Sequence, residues 1–288
     1  MKNRTSQLAT VSGGQIEYTL AGKGPAVLVS HGTLGGYDQS LAIVGLFNQE
    51  KFCFVPVSRA GYLRSAPSTG RTPNEQARSF VELLDSEGIA KAAILGLSGG
   101  APAAICFAQN YPDRCWALVL LSAIIAAPPP MPAFFRAMIR FQDVMMRADW
   151  LWRFAYKYGL KQLVRSNGLT AAQAKRVLQD AHLRRVVQGI YRPITNASQR
   201  RKGMRLDHEQ INALPEEPNY ALTVPVFIGH TVNDPLAPVA HAQTLATSLP
   251  DAHFVEMSDG GHIFFVVHSN QLIPQIEAFL FAQVPSNR

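Results

Sequence analysis

The 288-residue chain has little of what marks several protein classes. Its longest nearly apolar run, Trp116–Ala127, is 12 residues with a serine inside it; a membrane-spanning helix needs about 20. There are only 3 cysteines, and Cys53, Cys106 and Cys115 have neither the even count of a disulfide framework nor a metal-type spacing. They read as reduced core cysteines. Residues 1–14, MKNRTSQLATVSGG, carry no apolar stretch of the secretory kind, so the sequence points to a cytoplasmic protein. Charged residues make up 16% against 47% hydrophobic ones, the balance of a folded globule and not of a disordered chain. No Gly-x-Gly-x-x-Gly dinucleotide fingerprint and no metal motif is present, so neither cofactor nor metal is expected.

What is present begins with alternation. Apolar runs at Ile16–Leu20, Ala26–Ser30, Phe52–Val57, Ala92–Leu95 and Ala117–Leu121 read as strands, several of them buried on both faces. Between them lie helical patterns. Thr72-Pro73-Asn74-Glu75 is a helix start, with Thr72 as N-cap, proline in the first turn and Glu75 three residues on. Gly88 supplies the stop. Strands separated by helices predict parallel βαβ units and an α/β fold. From residue 131 to about 213 the pattern is helical throughout, with a second capping box at Thr170–Gln173. Strands and helices then alternate again: Thr223–Ile228, Ala240–Ser248, Phe254–Met257, and a last helix over 271–283. The organisation expected is a core of residues 1–125 and 214–288 with a helical cap, 126–213, inserted in it.

Charge is uneven. Residues 131–205 hold sixteen Lys and Arg against three acids, while the remainder holds eleven against seventeen. A solvated helical face is the simplest account. Docking to anionic lipid and steering of an anionic substrate are the alternatives, and neither is expected to be large. Arg136, Arg140 and Arg147 fall on one helical face. Phe134, Met138, Met145, Met146, Trp150, Trp152 and Phe154 form an aromatic and methionine-rich stretch, which reads first as packing of a helix onto the core; where some of them line the pocket, the group bound there is apolar.

The chemistry concentrates in three loops. Gly96-Leu97-Ser98-Gly99-Gly100 lies between a strand and a helix, the setting of a Gly-x-Ser-x-Gly nucleophile elbow. Such a turn lifts one serine above the sheet edge and crowds the positions two before and two after it, where glycine fits. A serine needs a base and an orienting acid. Asp234 follows the strand ending at Ile228, and His262 follows the strand ending at Met257, both where parallel sheets place ligands. Asp259 would have to double back, Asp251 and His253 precede their strand, and His268 is placed inside the last helix. Ser98, Asp234 and His262 are therefore the expected catalytic set. Backbone N–H groups of Gly99 and Thr33 form the expected oxyanion hole. Leu34, Met138, Met145 and Trp150 are the candidate pocket lining. His31 reads as a loop-fixing residue.

With His31-Gly32, the Ser98 elbow, Tyr111-Pro112-Asp113-Arg114, Asn233-Asp234-Pro235 and Gly261-His262 in place, the chain resembles the α/β-hydrolase family, in particular its capped serine-hydrolase and esterase branch. The resemblance implies an eight-stranded, mostly parallel sheet with flanking helices and a helical cap. There are departures. Ser58-Arg59-Ala60-Gly61-Tyr62-Leu63 replaces the Asp-x-Arg-Gly-x-Gly of many relatives, and Arg59 reads as fixing that loop. The elbow lacks the tryptophan common in proline iminopeptidases, and a cap poor in acids lacks the carboxylates that hold a peptide amine. Serine as nucleophile excludes epoxide hydrolases and haloalkane dehalogenases. The expected activity is cleavage of a carboxylic ester or lactone through an acyl-enzyme, on a small-molecule substrate with an apolar portion. Amide or carbon–carbon hydrolysis, perhydrolysis and a non-catalytic receptor are the alternatives. No nucleic-acid partner and no stable membrane insertion are expected, and the sequence leaves the oligomeric state open.

Overall fold

A computed structural model describes residues 5–127, 141 and 143–285. Among the described residues nine strands form one sheet: β1 (Gln7–Val11), β2 (Gly14–Tyr18), β3 (Ala21–Gly22), β4 (Ala26–Ser30), β5 (Cys53–Ser58), β6 (Ala92–Leu97), β7 (Cys115–Leu121), β8 (Val226–Thr231) and β9 (His253–Met257). Their order is β1-β2-β5-β4-β6-β7-β8-β9, with β3 also paired to β5. From β5 through β4 to β9 every pair is parallel; only the β1–β2, β2–β5 and β3–β5 pairings are antiparallel. The α/β class expected from alternating apolar runs is the class observed.

Helices α1 (Tyr37–Val44), α2 (Pro73–Ser86) and α3 (Ala101–Asn110) lie among the first seven strands. Between β7 and β8 the described elements are α4 (Asp149–Arg165), α5 (Ala171–Gln179), α6 (Ala181–Tyr191), irregular helical turns over Arg192–Arg200, and α7 (Arg201–Asn212). Helices α8 (Val239–Ser248), α9 (Phe264–Val267) and α10 (Ser269–Gln283) are the last of the described helices. Both anticipated capping boxes form: Thr72 with Glu75 opens α2, and Thr170 with Gln173 opens α5.

The period of two along the strands builds two cores. Val27, Val29, Leu95, Val119 and Phe227 face α1 and α10, and Val164, Val177 and Val187 of the helical segment join them. Leu28, Val55, Ile94, Leu118 and Ile228 face α2, α3 and α8. Burial on both faces accounts for the continuous apolar strands, which show no polar alternation. Among the described residues no helix is long and apolar enough to cross a membrane.

Candidate active site

Ser98 follows β6 directly and holds φ 47°, a left-handed conformation that costs a non-glycine residue about 1–3 kcal/mol. The surrounding glycines show why the turn is possible. A Cβ on Gly96 would lie 2.7 Å from the Ala104 Cβ, and one on Gly100 would lie 2.3 Å from the His31 carbonyl oxygen. These are the two crowded positions that the elbow motif anticipates. Gly99 sits against the loop after β4: a Cβ there would be 2.4 Å from Thr33 Oγ1 and 3.4 Å from the Thr33 nitrogen. The Thr33 hydroxyl is buried and has no hydrogen-bond partner.

Asp234 and His262 come together from the loops after β8 and β9. The His262 Nδ1 lies 2.9 and 2.8 Å from the two carboxylate oxygens of Asp234, whose side chain is fully buried. Asp234 Oδ1 also accepts from the amides of Leu236 and Ala237 at 2.8 and 3.1 Å. Burial opposes ionisation of Asp234, yet the His262 contact and these two amides outweigh it and hold the carboxyl below its ordinary range. The loop after β7 ties the serine to the histidine: Ile124 N–H donates to the Ser98 carbonyl at 3.2 Å, and Ser122 Oγ donates to the His262 carbonyl at 2.8 Å. The turn closing α4 holds the same loops, since His262 N–H donates to the Asn167 carbonyl and Asn233 Nδ2 donates to that of Gly168.

Asp259 is engaged elsewhere, 2.8 Å from Nε2 of His268. His268 itself stands at the junction preceding α10 and not within that helix, a correction to its expected place.

His31 and Arg59 fix the loop after β4. Arg59 N–H donates to His31 Nε2 at 3.0 Å, so Nδ1 carries the proton and donates to the Gly32 carbonyl at 2.7 Å. The Arg59 guanidinium donates to the His31 carbonyl and makes a bidentate pair with Asp207 at 2.5 and 2.6 Å, both side chains being 1% exposed. Tyr62 donates its hydroxyl to the same carboxylate at 2.6 Å and accepts from Leu34 N–H at 3.2 Å. A second buried arginine holds the same loop further along: Arg200 donates to the Gly35 carbonyl and pairs with Asp38 at 2.6 Å. Helix α7 and the turns before it thus grip residues 31–38 twice. Asp207, Tyr62, Arg200 and Asp38 escape the sequence reading, because a single acid beside Arg205 has no periodicity or motif to mark it.

Removing one partner of such a buried pair typically costs 3–5 kcal/mol, because the other charge stays buried alone. Asp207→Ala is therefore expected to lower unfolding stability by about 4 kcal/mol in urea titration. The double variant Arg59→Met/Asp207→Leu should recover most of that loss. A single-variant loss below about 1 kcal/mol would show that the pair is solvated.

His31 and His230 give the fold an acid sensitivity. Burial, and next the Arg59 charge, holds His31 well below its ordinary pKa, and burial lowers that of His230, whose Nε2 faces the Ala237 carbonyl at 3.0 Å. Unfolded, each ring takes a proton as pH falls through about 6.5; folded, each resists until its lower value. The stability they contribute is complete above about pH 6.5 and is lost below it, by up to about 1.4 kcal/mol per pH unit for each ring. Urea midpoints should fall on acidification from about pH 7 to 5.5, and His230→Gln should reduce the slope; equal slopes for variant and wild type would contradict this.

The candidate lining residues divide. Leu34 packs with Trp152 against Met146, Ala197 and Met204. Met145 is half-buried, with its carbonyl accepting from the Trp152 indole at 2.9 Å, and Met146 takes the interior position. Trp150 departs from expectation: it is 72% exposed. Two residues along a helix turn through about 200°, so with Trp152 directed inward Trp150 faces water. Met138, Phe134, Arg136 and Arg140 lie outside the described residues. A cleft of about 440 Å³ opens among Arg71, Asn74, Pro102, Cys106, Gln210 and Tyr220. None of its walls comes from the loops of Ser98, Asp234 or His262, so we assign it no part in the chemistry.

The sheet thus presents a strained serine after a parallel strand and an Asp–His pair at the ends of two later strands. Residues 25–269 match the family model of the alpha/beta hydrolase fold, and the chain belongs to that family. It is similar to an uncharacterised hydrolase of Bacillus subtilis, YcgS, with 25% identity over 276 residues, covering 92% of this chain and 94% of that one. Among solved structures it resembles an alpha/beta hydrolase fold protein from Nakamurella multipartita (TM-score 0.82, 24% identity, 96% of this chain and 99% of that one). It also resembles an enol-lactonase from Burkholderia xenovorans LB400 (TM-score 0.70, 18% identity, 96% and 100%). At these identities the structural likeness shows the fold alone.

Proposed function

We propose that the protein is a serine hydrolase that opens a carboxylic ester or lactone through an acyl-enzyme. The observation that supports the reading is the Asp234 carboxylate on His262 Nδ1, at the ends of strands in the same sheet whose β6 leads into a serine held at φ 47°. With its Nδ1–H committed to Asp234, the imidazole has Nε2 as its free base. In the first step Nε2 takes the Ser98 proton while Oγ adds to the carbonyl carbon. The tetrahedral oxyanion is held by the N–H groups of Gly99 and Thr33. The Thr33 hydroxyl, buried without a partner, is a third donor for that oxygen. His262 then returns the proton to the leaving alkoxide, and water repeats the sequence to free the acid. In a lactone the leaving alcohol remains tethered to the acyl group. The segment between β7 and β8, residues 126–213, acts as the cap, and Leu34 with Met146, Met204 and Trp152 offers an apolar wall to the substrate.

The rival reading is a non-catalytic receptor on the same fold. Turnover of a short-chain nitrophenyl ester separates the two. The hydrolase reading expects saturable hydrolysis well above the buffer rate. Binding of the ester without turnover would establish the receptor.

A further inference from the structure

Helix α4 has a satisfied side and an unsatisfied one. Val164 is buried, and Trp152, Leu160 and Tyr156 are half-buried, with Trp152 bonded to Met145 and the Tyr156 hydroxyl donating to the Gln188 carbonyl at 3.4 Å. The other side holds Trp150, Phe154 and Tyr158 at intervals of four, 72%, 61% and 66% exposed. Arg153, Lys157, Lys161 and Arg165 follow the same interval and are exposed beside them. The Phe154 and Tyr158 rings lie 4.7 Å apart, and the Lys157 ammonium stands 5.0 Å from the Tyr158 ring centre. None of the four cations joins a described salt bridge, and of the four only Arg153 has a described hydrogen bond, its Nε donating to the Thr195 carbonyl at 3.2 Å. The one acid of the helix, Asp149, accepts from Ser198 N–H and Oγ at 2.9 and 2.8 Å.

Single exposed hydrophobics need no explanation, but three large aromatics in one row do. Contrary to the small effect expected from charge distribution alone, we propose that this face of α4 docks the protein reversibly on anionic lipid bilayers. Aromatic rings suit the boundary between headgroups and acyl chains, and interleaved Lys and Arg suit the anionic headgroups above it. Charge distinguishes this occupant from a second copy of the chain. A two-fold dimer through this face would bring the four cations of one copy against the same four of the other. The row ends at Arg165, two residues before Asn167, whose carbonyl holds the His262 N–H. A docked molecule therefore meets the bilayer with the helix that leads into the His262 loop. Esters carried in an anionic membrane are the substrate class this implies, a clause that rests on the proposed hydrolase activity; the docking does not.

The test uses the full chain and vesicles of phosphatidylcholine, with or without phosphatidylglycerol, at low and high salt. Only three tryptophans are present. Trp116 is buried and Trp152 half-buried, so a shift of emission to the blue reports Trp150. We expect cosedimentation and a blue shift with phosphatidylglycerol vesicles, both weakened by salt. Lys157→Glu/Lys161→Glu should lower partitioning by at least about tenfold while leaving turnover of a soluble nitrophenyl ester unchanged. Trp150→Phe should lose the blue shift and still sediment. Absence of cosedimentation, or equal partitioning of wild type and the charge-reversed variant, would overturn the proposal. A concentration-dependent dimer abolished by Trp150→Ser, without vesicle binding, would overturn it in favour of a second copy. Because partitioning is read without turnover, failure of the hydrolase reading leaves this test intact.

Discussion

Replacing Ser98 by alanine is expected to cut turnover of an activated ester by about a millionfold, the loss seen when the nucleophile of a serine triad is deleted. In the proposed reaction His262 then has no hydroxyl to deprotonate, and no acyl-enzyme can form. The remaining acceleration would come from the amides of Gly99 and Thr33 and from binding alone. The fold should survive. Serine and alanine bear a similar cost at φ 47°, and the Ser98 carbonyl keeps its bond from Ile124 N–H. Steady-state kinetics with circular dichroism on the same sample checks both halves. A folded variant retaining a tenth of the activity would mean that Ser98 is not the nucleophile.

Asp234→Asn should cost about ten-thousandfold in kcat, for a reason that the hydrogen bonds make specific. The amides of Leu236 and Ala237 both donate to Oδ1. In the variant that position must be the amide oxygen, so the NH2 group takes the Oδ2 place, the nearer of the two to His262 Nδ1 at 2.8 Å. Two donors cannot face each other; the imidazole therefore shifts its proton to Nε2 and ceases to be a base toward Ser98. The carboxylate that stabilised the imidazolium is lost as well. Asp259→Asn is the control, since Asp259 is bound to His268. Its turnover should stay near wild type. A crippled Asp259→Asn beside an active Asp234→Asn would reverse the assignment of the acid.

Which features could be read from the residues depended on whether their cause was local. The elbow was legible because its Gly-x-Ser-x-Gly signature is contiguous, even though only Gly96 is crowded locally, by Ala104, whereas Gly100 meets the distant His31 carbonyl. The α2 start was legible because Thr72, Pro73 and Glu75 satisfy amides of their own first turn. The order of Asp234 and His262 followed from strand ends, themselves marked by apolar runs. Strand β1 was missed: Gln7–Val11 lies at the sheet edge with three of five residues exposed, so no apolar run announces it. Helix α1 opens after Gly36 without a capping side chain and gives no start signal. The Arg59–Asp207 clamp joins residues 148 positions apart. No spacing rule reaches that far. The row of α4 was misread for a different reason: composition shows that Trp150, Trp152 and Phe154 are apolar, but only packing decides which of them turns inward.

The central claim is that Ser98 carries the acyl group. Treating the wild-type protein with a fluorophosphonate probe and mapping the adduct by peptide mass spectrometry tests it directly. The account predicts one stoichiometric adduct, on Ser98, and none on Ser98→Ala. An adduct on another residue, or labelling of Ser98→Ala at the wild-type level, would contradict it.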